Sequence, residues 1–159
     1  MIKIDKGHRV ASSASFQCKN ISIGKNCVIH ERATFLGDSI SIGDNVWVGQ
    51  DAVLDGTGGL EIGDNVTIGI RCSVFTHAGT RGFMLKKAAV VIKDCAWLMS
   101  NATVNPGVTV GRDSRVYNAA VVVENVPDAT AVAGVPARAV GKIPAGERMS
   151  AFLKKQARK

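Results

Sequence analysis

Ile42-Gly43-Asp44-Asn45-Val46-Trp47-Val48-Gly49-Gln50-Asp51-Ala52-Val53-Leu54 places an aliphatic marker at every sixth position, Ile42, Val48 and Leu54. Glycine follows the first two markers directly, and a small or β-branched residue follows four places later, Val46 and Ala52. The beat continues in both directions. Ile4, Val10, Phe16, Ile23, Ile29 and Phe35 precede this stretch, and Ile62, Ile68, Val74, Ile92, Leu98, Val104, Val110, Val116 and Val122 follow it. Neither the 3.6-residue period of a helix nor strict alternation accounts for such spacing.

Six residues suffice for a short strand with one apolar side chain inward and a turn relieved by Gly or Asn. Three such units close a triangular coil, and each coil leaves its apolar face bare unless another stacks on it. The sequence therefore predicts an all-β fold: a parallel β-helix of six coils, with one column of aliphatic side chains as its core. An ordinary β-sandwich would not hold this phase over so long a stretch. The expected organisation is a hexapeptide-repeat domain over residues 1–142, followed by a basic tail, 143–159, with a short helix over Glu147–Gln156 whose Met149, Phe152 and Leu153 cap the open end or pack on a neighbouring subunit.

Composition agrees with a narrow prism. The 159 residues suit one domain, aromatic content is 5%, and the four cysteines, Cys18, Cys27, Cys72 and Cys95, form no Cys-x-x-Cys pair; they are expected as packed, reduced thiols. No long apolar run and no signal-peptide pattern occurs, so a cytoplasmic protein without a membrane span is expected. The net charge of +7 is concentrated after Arg138, where seven basic residues face one acid, Glu147. That asymmetry, without interleaved aromatics, argues against a nucleic-acid face and suits a compact polyanion.

Interruptions of the beat mark where function is built, because the prism itself only supports. Phe16 to Ile23 and Phe35 to Ile42 span seven residues, and Leu54 to Ile62 spans eight, adding Asp55-Gly56-Thr57-Gly58-Gly59. Val74 to Ile92 spans eighteen, which predicts a protruding active-site loop over residues 75–91. It opens with Phe75-Thr76-His77. His8 and His30 fall within regular coils, so His77 is the candidate base, an imidazole able to take a proton near neutral pH. Asp55, Asp51, Asn101 and Arg81, with Gln50, are candidates to hold an acceptor substrate, although each also suits a turn.

Leu60-Glu61-Ile62-Gly63-Asp64-Asn65-Val66-Thr67-Ile68-Gly69, the His77 loop, Ala96-Trp97-Leu98, Asn105-Pro106-Gly107-Val108-Thr109-Val110-Gly111 and Val132-Ala133-Gly134-Val135-Pro136-Ala137-Arg138 together resemble the hexapeptide-repeat acyltransferases, over roughly residues 20–142. The nearest branch is that of the galactoside, maltose and capsular-polysaccharide O-acetyltransferases. The resemblance implies a left-handed β-helix, a homotrimer with its active site between two prisms, and acetyl-CoA as acyl donor. His77 then deprotonates an acceptor hydroxyl, of a saccharide or activated sugar, which attacks the thioester directly. Trp97, Ser100 and Asn118 fall on the pantetheine groove, and Arg138 and Lys142 on the nucleotide phosphates.

Met99, Tyr117 and Glu124 depart from the family pattern of small or basic residues at those positions. They motivate a second reading, a trimeric scaffold that has lost catalysis. A zinc hydratase on the same fold would need three histidines per site, which the scattered His8, His30 and His77 do not supply, and no metal is expected.

Overall fold

The computed structural model describes residues 1–4, 7–80 and 83–158. Their strands stack into three parallel faces, and the apolar markers fall into three vertical columns. On one face Val10, Ile29, Val48, Ile68, Leu98, Val116 and Val132 are successive register partners. The second column runs Phe16, Phe35, Leu54, Val74, Val104 and Val122. The third runs Ile4, Ile23, Ile42, Ile62, Ile92 and Val110. The sequence period thus translates into contact between coils, and a solenoid of parallel coils is the result.

Between the ends the columns are dry. Leu54, Ile68, Ile92 and Leu98 have no solvent exposure, and burial of each such side chain contributes about 1.5–3 kcal/mol. Val10 is different: it lies in the first coil, among the described residues its strand pairs on one side only, and it remains 37% exposed. All four cysteines are buried free thiols, and burial raises the Cys72 thiol to about 11. The spacings of seven have a simple origin. Ser15–Ile23 and Thr34–Ile42 are continuous strands that bend around the corner between the second and third faces, and Gly37, at φ +101°, makes the bend in the second of them.

The other two corners are ladders of left-handed turn residues. One stacks Asn26, Asn45, Asn65, Cys95, Asp113 and Ala129; the other stacks Arg32, Asp51, Arg71, Asn101 and Ala119. Asn and Asp tolerate this conformation because a short polar side chain can bond locally, whereas most residues strain there.

After the last parallel strand, Thr130–Gly134, the chain turns back as Ala137–Lys142 in antiparallel register. Ile143 then packs on Ala129 and Ala131. The helix is Met149–Gln156, preceded by a 3-10 turn at Ala145–Glu147, and it does not cap the end of the prism. Asp113 holds it against the first face by accepting bonds from Ser150 N–H and Oγ–H at 2.9 and 2.6 Å, and Arg115 donates to the Glu147 carbonyl at 2.7 Å. Closure of that end falls to the antiparallel strand and Ile143. Among the described residues no helix is long and apolar enough to cross a membrane.

Candidate active site

Two insertions in neighbouring coils leave the prism at the same corner. Val53–Asp55 pairs in parallel with Ser73–Val74, so the chain after Leu54 and the chain after Val74 emerge side by side. The longer one forms an antiparallel hairpin of His77–Thr80 and Phe83–Lys87, with His77 opposite Lys87. The shorter one folds over Asp55 as an Asx turn, its Oδ1 accepting the Thr57 N–H at 3.0 Å.

This places Asp55 directly beneath His77. Oδ1 also accepts the Thr57 hydroxyl at 2.6 Å, and Oδ2 accepts the Thr76 N–H at 2.8 Å. Oδ2 lies 2.7 Å from His77 Nδ1, while Thr76 Oγ1 is 3.0 Å from both Oδ2 and the Asp55 carbonyl and itself accepts the Gly58 N–H. Asp55 is fully buried, and burial alone would push its carboxyl up. The bonds from Thr57, Thr76 and His77 outweigh that effect and hold it at about 2, so the group is a carboxylate at neutral pH. A carboxylate can only accept. Nδ1 of His77 must therefore carry the proton, which leaves the Nε2 lone pair free on a ring that is 29% exposed. Ionised partner, defined tautomer and a partly exposed ring together give an imidazole that can act as a general base.

Asp55, expected as an acceptor contact, is thus sealed beneath His77 and serves the imidazole instead. Asp51 and Asn101 do not join it: they belong to the corner ladder after the first face, where Arg32 binds Asp51 through two nitrogens at 2.7 and 3.0 Å and Arg71 donates to Asn101 at 3.0 Å. Gln50 lies on the same corner and donates to Glu31. Arg81 lies outside the described residues.

The aromatic groove is assembled from one face and its corner. Trp97, Ser100 and Asn118 line a single cleft of about 360 Å³ with Trp47, Thr67 and Met99. Trp47 and Trp97 stand on either side of Thr67 in register, so the cleft has an aromatic side chain two coils apart along its wall. Arg138 and Lys142 are not among its lining residues; both lie on the closing antiparallel strand. Arg138 is exposed and 3.9 Å from Glu124, and Lys142 donates to Thr130 at 2.8 Å. Glu124 therefore meets the residue expected to bind phosphate. Met99 projects into the groove itself, and Tyr117 does not. Among the described residues no group of three or more His, Cys, Asp or Glu is placed to hold a metal ion.

Thr57, Thr76 and Trp47 were not anticipated from the sequence. Asp55-Gly56-Thr57 contains the Asx-turn signal, and the outward position of Trp47 in the repeat matches that of Trp97 two coils later. Thr76 carries no local signal, since its role depends on the neighbouring coil.

The chain shares 28% identity over 125 residues with galactoside O-acetyltransferase of Escherichia coli K12, covering 78% of this chain and 55% of that protein. With the putative colanic acid biosynthesis acetyltransferase WcaF of the same organism it shares 31% over 120 residues, covering 72% and 65%. No protein-family model matches the chain. In fold it is similar to AntD, an N-acyltransferase from Bacillus cereus, in a point mutant solved with dTDP-4-amino-4,6-dideoxyglucose and coenzyme A: the TM-score is 0.86 at 20% identity, covering 98% of this chain and 89% of AntD. The repeat, the loop histidine and these relatives define the class, and the chain belongs to the hexapeptide-repeat acetyltransferase family. It spans between half and two thirds of the length of these two sequence relatives.

Proposed function

We propose that this protein transfers an acetyl group from acetyl-CoA to a hydroxyl of a saccharide or activated sugar, with His77 as general base. The observation that carries the reading is the buried carboxylate of Asp55 on Nδ1 of His77. As the acceptor oxygen attacks the thioester carbonyl carbon, its proton passes to Nε2. The C–S bond then breaks, and the same proton returns from Nε2 to the coenzyme A sulfur. Asp55 stabilises the imidazolium between those two transfers and needs no proton of its own. The reading involves no acyl-enzyme: the cysteines are buried, and among the described residues the His77 ring bonds to Asp55.

The donor fits the groove of Trp97, Ser100 and Asn118, whose aromatic wall and exposed corner backbone suit an extended pantetheine. Acetyl transfer to oxygen is what the name of the galactoside relative describes. We further infer a homotrimer of about 50 kDa, three 16.7 kDa chains, since one prism presents its groove and its base at different corners and a neighbouring prism would bring them together; light scattering tests it, and a fully active monomer would refute it. Arg138 and Lys142 remain the proposed phosphate contacts, with Arg138 exchanging Glu124 for a nucleotide phosphate.

The test is coenzyme A release from acetyl-CoA across a panel of saccharides and sugar nucleotides, repeated with His77→Ala. The variant is expected to bind coenzyme A normally and to turn over roughly 10²–10⁴-fold more slowly. Turnover near that of the wild type would remove His77 from the mechanism, and a chain that neither binds coenzyme A nor acylates any acceptor would favour the scaffold reading.

A further inference from the structure

Thr57 belongs to neither the repeat nor the acceptor contacts, yet its placement is unusually determined. Its N–H and its hydroxyl both end on Asp55 Oδ1, at 3.0 and 2.6 Å, while the opposite oxygen faces Thr76 and His77. Room for it is made by the preceding coil. A Cβ at Gly37 would collide with the Thr57 backbone N and lie 2.8 Å from its Oγ1, and Gly37 has φ +101°, which L side chains rarely adopt. Three coil segments therefore converge on one carboxylate: Gly37 admits Thr57, Thr57 clamps Oδ1, and Oδ2 is shared by Thr76 and His77.

We propose that Thr57 is a positioning residue for the base: its paired bonds to Oδ1 fix the carboxylate plane of Asp55 and limit how much of its negative charge reaches the imidazole. This rests on the acyl-transfer reading only for its rate consequence; the effect on His77 itself does not depend on the substrate. The physical logic is a competition for one anion. Each donor on Oδ1 draws charge away from Oδ2, so removing the hydroxyl strengthens the hold of Oδ2 on the Nδ1 proton and favours imidazolium over imidazole.

The lysine directly across from His77 has its own partner. Lys87, opposite His77 in the hairpin, is bound to Asp38 at 2.9 Å, and Lys19 binds the other oxygen of Asp38 at 2.6 Å. Lys86 stands opposite Ala78. Among the described residues no cation contacts Asp55, so its charge is divided among Thr57, Thr76 and His77 alone.

The experiment is an NMR titration of the His77 ring in the full chain, its signal assigned by its loss in His77→Ala, for the wild type, Thr57→Val, Thr57→Ala and Thr57→Ser. In the Val and Ala variants the midpoint is expected to rise by about 0.5–1 pH, and the acid limb of the kcat/KM profile to move with it. Thr57→Ser, which keeps the hydroxyl, is expected to restore both. A merely structural role would lower activity or melting temperature without moving the midpoint, and an unmoved midpoint in whichever of the Val and Ala variants folds overturns the proposal, as does a Ser variant that behaves like them. If the midpoints move as expected while no variant, nor the wild type, acylates any acceptor, the assigned activity fails and the role of Thr57 stands.

Discussion

Asp55→Asn is the sharpest probe of this site because it changes one atom type and leaves the volume alone. In the native chain the carboxylate receives the Thr57 N–H and hydroxyl on one oxygen and the Thr76 N–H and His77 Nδ1–H on the other. An amide has a single acceptor oxygen, so its NH2 must face donors on one side or the other. If it faces Thr57, a buried N–H is opposed to a donor. If it faces His77, Nδ1 must become the acceptor, the proton moves to Nε2, and the base is lost. A bond to a charged partner contributes about 1.5–3 kcal/mol. With at least one such bond lost and one donor left unsatisfied, we expect destabilisation of about 2–4 kcal/mol. For a chain of this size that lowers the melting temperature by roughly 5–12 °C. Turnover is expected to fall on the order of 10²–10⁴-fold, as when a base is held in the wrong tautomer. Circular-dichroism melting and coenzyme A release at neutral pH measure the two effects separately. A variant that melts with the wild type, or that keeps turnover within about threefold while His77→Ala is inactive, would refute the account of Asp55.

Two further outcomes follow from the same geometry. The Asp55 carboxyl is depressed from 3.8 to about 2, so its contribution, about 2 kcal/mol, is fully present above pH ~4 and is lost as pH falls through about 2; the stability gap between wild type and Asp55→Asn, from denaturant unfolding, should narrow over that window, and a constant gap would show that the charge is not the source. Trp97→Ala removes the exposed wall of the groove and is expected to weaken coenzyme A binding about 10–30-fold by calorimetry, from roughly 80 Å² of apolar contact at about 25 cal/mol per Å²; undiminished affinity would move the donor site elsewhere.

The repeat alone determined the core. A six-residue period decides which side chains point inward, and stacked coils must bring like positions together, so all three marker columns are legible in the sequence. The same period exposed the two breaks that carry Asp55 and His77, because an insertion is visible wherever the count fails. The outward-facing chemistry was settled only by tertiary structure. Asp55 and His77 are 22 residues apart and meet because both breaks leave the prism at one corner in adjacent coils; Asp51 and Asn101, equally polar, sit at another corner and bond to arginines. The tail helix showed its apolar side chains in sequence, but its position on the first face depends on Asp113 and Arg115, buried or half-buried groups whose partners lie 37 and 32 residues further on. Inward positions answer to a local rule, the exclusion of water from a regular stack. Outward positions answer to whichever neighbour can satisfy a charge or a hydrogen bond, and that neighbour is chosen by the stacking of coils.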